Sequence, residues 1–151
     1  MTKWPWKGKP HLSHQELGNS LDVPGGHYVL LALFPYYNHL FRTILLRAGF
    51  EVRWEDTLEG ALERARHIRP SIVICWVGRG GPDGLVLLKR MHESELAGIP
   101  VVALVEQKRE PEDPKAVRAN AALVVPIEPV ELVRCVERLL SPTHLDTRHS
   151  P

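Results

Sequence analysis

At 151 residues the chain is long enough for one domain with a substantial core. Charged residues at 25% against 44% hydrophobic, with a formal net charge of +1, give no footing to nucleic acid or an anionic membrane as partner. No apolar run approaches the roughly 18 residues a spanning helix needs, and no apolar signal core opens the chain. A cytoplasmic protein without a membrane span is expected. Cys75 and Cys135 both fall on apolar faces, which predicts two reduced, buried small hydrophobes in place of a disulfide or a nucleophile.

Residues 1–26 carry Pro5, Pro10, Pro24 and Gly25-Gly26, with Lys3, Lys7 and Lys9 interleaved with Trp4 and Trp6, and show no period. Two readings stand for them, a flexible leader and a basic-aromatic sticker for a partner or membrane surface. His11 and His14 are spaced i, i+3 but have no further ligand to complete a metal site. The domain proper is expected over residues 27–141, with 142–151 as a tail.

Tyr28 to Leu33 is a continuous apolar run, hence a first strand buried on both faces, ended by Phe34-Pro35. From Tyr37 the apolar residues Tyr37, Leu40, Phe41, Ile44, Leu45 and Ala48 follow helical spacing, and Gly49 suits the C-terminal cap. Glu51-Val52-Arg53-Trp54 alternates polar with apolar, which predicts an edge strand. Thr57 is placed to cap a second helix with the stripe Leu58, Ala61, Leu62 and Ala65, and Pro70 marks its far side.

The segment Ser71 to Trp76 predicts the central strand, and a Gly/Pro loop carries it to Asp83. A third helix follows Gly84 with Leu85, Leu88 and Met91 inward. Val101 to Val105 predicts a fourth strand, and a weak fourth helix is expected over 112–119. Ala121 to Val125 predicts a fifth buried strand. Pro129 then suits the first position of a last helix with Leu132, Val133, Val136, Leu139 and Leu140 inward. Five strand-helix repeats predict an α/β domain: a flavodoxin-like, doubly wound, five-stranded parallel sheet of order 2-1-3-4-5 with five helices.

In that order, the helix end Leu46-Arg47-Ala48-Gly49-Phe50-Glu51-Val52, the Ala61-Leu62 helix, Arg69-Pro70 and Pro82-Asp83-Gly84 form a scaffold pattern. Ile99-Pro100-Val101-Val102-Ala103-Leu104 and Pro126-Ile127-Glu128-Pro129-Val130-Glu131-Leu132 complete it. With it, the span Tyr28 to Leu140 resembles a receiver domain of the two-component response regulators, the phosphorelay family. The resemblance implies an acceptor aspartate ending the third strand, with Mg²⁺ held by an acidic pair ending the first. It further implies a Ser or Thr ending the fourth strand and a Lys before a Pro on the fifth. Here the acceptor place falls on Trp76, the acidic pair on Ala32 and Leu33, the hydroxyl on Val105 and the lysine on Val125. The register of the family's aromatic switch falls near Ala122 and Leu123.

Mg²⁺ demands oxygen ligands, and alanine, leucine and tryptophan offer none. A single carboxylate or lysine left in such a place would be an uncompensated charge, so replacing the whole set is physically coherent. A Trp76 packed against Leu33, Val105 and Val125 would fill the volume. These places therefore predict a degenerate pseudo-receiver with no metal, no cofactor and no enzymatic activity.

Glu55, Asp56, Asp83 and Glu106 remain around the rim, either as a displaced metal or phosphorylation site or as solvated loop carboxylates. Asp83 also suits a Pro-Asp-Gly turn. Gly78, Arg79, Gly80 and Gly81 are a candidate ligand loop, able to form an anion-binding nest, although they miss the dinucleotide fingerprint. His27, His39, His67 and His92 are spread over different elements and complete no catalytic arrangement.

Two functions follow. The first is a phosphorylation-independent signalling or scaffolding module acting through protein contacts, with a homodimer one option. The resemblance implies the fourth helix, fifth strand and last helix as its surface, carrying Lys108, Arg109, Glu112, Asp113, Lys115, Arg118, Glu131, Arg134, Glu137 and Arg138. These mixed signs suit an isologous contact, and equally a solvated face. The second is a sensor of a small molecule bound near the former phosphoryl place. With eleven residues after Leu140, no output domain is expected on this chain.

Overall fold

The structure, a computed structural model, describes residues 28–79, 81–106 and 118–141. The leader and the tail beyond 141 lie outside the described residues. So do residues 112–117 of the expected fourth helix, Gly80, and Lys108, Arg109, Glu112, Asp113 and Lys115.

The strands are β1 (Tyr28–Ala32), β2 (Glu51–Trp54), β3 (Ile72–Val77), β4 (Val101–Glu106) and β5 (Ala121–Val125). Four described helices join them: α1 (Pro35–Arg47), α2 (Leu58–His67), α3 (Gly84–His92) and α4 (Pro129–Leu140). All strand pairs are parallel and the order is β2-β1-β3-β4-β5, the flavodoxin-like arrangement.

Local chemistry sets the helix starts. Pro35 and Pro129 each stand at the first turn of a helix, where the missing N–H costs nothing. Thr57 accepts from the Gly60 amide at 3.0 Å, and Asp83 accepts from Leu85 and Val86 at 3.1 and 3.3 Å. Gly49 adopts φ 101° and lets α1 turn out of its last coil.

Strand alternation divides the core in two. Tyr28, Leu30, Ala32, Val73, Cys75, Val77, Ala103 and Val105 face α2 and α3. Val29, Leu31, Leu33, Ile72, Ile74, Trp76, Leu104 and Val125 face α1 and α4. Each fully buried aliphatic side chain contributes about 2 kcal/mol by transfer from water. Cys75 and Cys135 are buried, free and on opposite faces of the sheet, so no disulfide joins them.

Several boundaries and inward faces differ from the sequence expectation. The central strand runs one residue further, to Val77, so Trp76 lies within it. In α3 Leu87 is buried and Leu85 only partly so. In α1 Leu40 is 36% exposed while Asn38 is buried, because the stripe against the sheet centres on positions 38, 41 and 45. β5 is only half-buried, with Val124 at 40% exposure, since it is the outer strand of the described sheet. Arg118 and Ala119 are not helical; the next residue, Asn120, already pairs with Val101 through its amide and side chain, both at 2.8 Å.

At the other edge, Arg53 and Glu51 lie 3.8 Å apart, too far for a hydrogen bond, and Glu51 Oε2 is buried without a hydrogen-bond partner. Burial raises the Glu51 pKa above its ordinary 4.5, outweighing the Arg53 charge, and burial lowers that of Arg53. A carboxyl raised in the native state favours folding below its unfolded pKa, and that contribution is lost as pH rises through the native value. Glu51→Gln should therefore flatten the stability profile just above pH 4.5 and raise stability at pH 7 relative to wild type. Urea unfolding at stepped pH checks this; equal profiles would contradict it.

Gly84 starts α3 against the backbone of β3. A Cβ there would run into the Trp76 carbonyl and reach Cys75 Sγ at 3.2 Å. Gly84→Ala should cost about 3 kcal/mol in chemical denaturation by overpacking. A loss under about 0.5 kcal/mol would mean that the helix start yields freely.

Candidate functional site

The carboxyl ends of the strands, where open parallel sheets bind ligands, are built around Trp76. Its side chain is 3% exposed and points to the α1 and α4 side. Phe34 and Tyr37 meet the indole edge-on, with ring centroids at 4.9 and 5.2 Å. The indole N–H donates to the Arg79 carbonyl at 2.8 Å, which ties the loop after β3 down onto the ring.

The five places singled out in the sequence do not converge on one pocket. Leu33 and Val125 share the face of Trp76. Ala32 and Val105 lie on the opposite face, because the register pairs Trp76 with Leu104 and Val77 with Val105. Val105 therefore does not pack on the indole as expected; the aromatic pair from the start of α1 does. Ala122 and Leu123 lie in β5.

The rim acids are each engaged by neighbours. Glu55 accepts from Arg64 Nε at 2.6 Å, and Asp56 Oδ1 accepts from Asn38 Nδ2 at 2.7 Å. Asp83 caps α3, as its turn chemistry implied. Glu106 Oε1 accepts from the Arg79 amide at 2.9 Å. Among the described residues no three potential metal ligands gather. Of the candidate loop, the described Arg79 thus has its amide taken by Glu106 and its carbonyl by Trp76. Burial pushes the Cys75 thiol up to about 12, which keeps it protonated and unreactive.

Sequence reasoning missed Asn38. Buried in the first turn of α1, its side-chain oxygen accepts from the Leu33 amide at 3.0 Å. Its nitrogen donates to the Leu33 carbonyl at 2.8 Å, to Asp56 and to the Glu55 carbonyl at 3.2 Å. One amide thus joins the ends of β1 and β2. The signal was present: Asn38 stands three and seven residues before Phe41 and Leu45, on the stripe that α1 buries. Beside it, Pro35, Asn38, His39, Arg42, Trp54 and Asp56 line a cleft of about 110 Å³, with the Arg42 guanidinium 4.7 Å over the Trp54 ring.

No family model and no curated protein sequence matches the chain. Solved structures do. A protein assigned as a response regulator from Chloroflexus aurantiacus J-10-fl is 31% identical, with TM-score 0.66, over 76% of this chain and 98% of that one. The chain belongs to the response-regulator receiver family. Chemotaxis protein CheY4 of Vibrio cholerae is 25% identical, with TM-score 0.64, over 75% of this chain and 98% of that one. The receiver domain of a sensor histidine kinase from Pseudomonas aeruginosa PAO1, which carries magnesium in its active-site cleft, is 20% identical, with TM-score 0.67, over 77% and 98%. The last likeness shows the fold. In this receiver no described helix is long and apolar enough to cross a membrane.

Asn38→Ala would orphan the amide and carbonyl of Leu33 in a buried place, at a cost of about 3 kcal/mol. Asn38→Asp should cost at least as much at pH 7, since it loses both donors and sets a carboxylate against Asp56. Denaturant titration of the two variants checks the order; a milder Asp variant would contradict it.

Proposed function

We propose that this receiver signals without accepting a phosphoryl group, and that it works by contact with another protein. The observation that carries the reading is Trp76. At the acceptor place of the resemblance it offers no carboxylate, and its ring is buried and capped by the loop it holds through Arg79. Its described acidic neighbours support the reading too, since each already serves a helix cap, an ion pair, the Asn38 side-chain amide or a backbone amide. Among the described residues no group of three potential ligands offers magnesium a ready oxygen set, and the acceptor place itself holds no nucleophile. On this reading the protein is not an enzyme.

The contact surface is proposed on β5 and α4 with Arg118 just ahead of β5. Arg118, Glu131, Arg134 and Arg138 are exposed there, and Glu137 is half-exposed. Val124 and Val130, at 40% and 48% exposure, add apolar area beside them. Apolar anchors within a ring of mixed charge suit a protein partner, a second copy of the chain included. The small-ligand reading gains no support from the backbone of the glycine loop, where Glu106 and Trp76 already take the amide and carbonyl of Arg79.

Incubation with acetyl phosphate and Mg²⁺ should leave the intact mass unchanged. Titration with beryllofluoride and Mg²⁺ should give no saturable change in tryptophan fluorescence, and light scattering should find the same oligomeric state before and after. A stoichiometric phosphoryl adduct on the native protein would overturn the reading.

A further inference from the structure

We propose that Glu106 is an intramolecular latch: its carboxylate holds the loop after β3 closed over Trp76. The inference rests on the closed-pocket reading and names how that pocket is kept closed. Glu106 is the last residue of β4, and the amide it binds belongs to Arg79, 27 residues earlier in the chain. The bond is charge-assisted, from a neutral N–H to an ionised acceptor.

The packing beneath it is specific. A Cβ at Gly78 would fall 2.6 Å from Glu106 Oε1, 2.7 Å from Glu106 Cβ and 2.9 Å from the Trp76 ring. The carboxylate arm therefore lies directly on the Gly78 backbone, which only glycine permits. From below, the indole holds the Arg79 carbonyl at 2.8 Å. The backbone amide and carbonyl of one residue are thus gripped by side chains from two different strands, and the anion seated on the loop is the chain's own.

The test is amide hydrogen exchange by NMR on the full chain, comparing wild type with Glu106→Gln and Glu106→Ala. Loss of the acceptor should speed exchange at Arg79 about tenfold in Glu106→Ala, with core amides such as Ile74 and Leu104 unchanged. Glu106→Gln keeps an acceptor oxygen without the charge and should fall between the two. Gly78→Ala, which evicts the carboxylate sterically and leaves Glu106 in place, should reproduce the loss and serves if Glu106→Ala does not fold. Unchanged Arg79 exchange in folded Glu106→Ala or Gly78→Ala would overturn the latch and leave the phosphate-blind reading standing. A phosphoryl adduct on wild type would overturn that reading without altering the exchange result.

Discussion

The indole of Trp76 sets the terms for everything at the carboxyl end of this sheet. A ring of that size within the central strand must be covered, and its single N–H must find an acceptor once water is excluded. Phe34 and Tyr37 supply the cover and the Arg79 carbonyl supplies the acceptor. The loop that brings Arg79 back has to pass close to the ring, which leaves no room for a Cβ at Gly78. The helix that follows must start against the Trp76 carbonyl, which requires Gly84. The indole thus accounts for two aromatic neighbours, the path of a loop and, together with the Glu106 side chain, the glycine at 78, whereas Gly84 answers to the backbone of β3.

Where the polar groups go follows from the same exclusion of water. Around a reactive centre, carboxylates are left free to hold metal or protons. Here Asp83 caps a helix, Glu55 pairs with Arg64, Asp56 receives Asn38 and Glu106 receives the Arg79 amide. Each of these bonds fixes a loop at the end of a strand. Asn38 adds the firmest of them, since its side chain answers both the N–H and the carbonyl of Leu33 and crosses to the β2 end. In this receiver the ends of β1, β2, β3 and β4 are held by side-chain hydrogen bonds of neutral and anionic groups.

Much of the fold was legible because each device acts locally: apolar runs for strands, helical stripes, Thr57 and Pro129 at helix starts, Gly49 at a helix end. The order 2-1-3-4-5 was legible because the alternation of Glu51 to Trp54 marks an edge strand. What escaped depends on which neighbour covers a residue. Val124 belongs to an apolar run, but as part of the outermost described strand it keeps a face in solvent. Val105 sits near Trp76 in any diagram of strand ends, yet pleating sends it to the other face, and a one-residue difference in register decides this. Asn38 escaped because a polar residue on a helix is read as solvent-facing unless the centre of the stripe is known to within one residue.

The two sheet edges show how differently a strand can be finished. β2 tucks Glu51 and Arg53 against the core 3.8 Å apart, with no hydrogen bond between the two, and burial shifts both toward their neutral forms. Attraction between them does not repay the lost hydration, so the pair marks the edge without greatly strengthening it. β5 exposes Val124, and the helix after it exposes Val130 next to Glu131. An edge guarded by inward charges resists pairing with another chain, whereas one that presents apolar side chains among mixed charges invites contact. The exposed Val124 and Val130 are the reason the proposed contact is assigned to the β5 side.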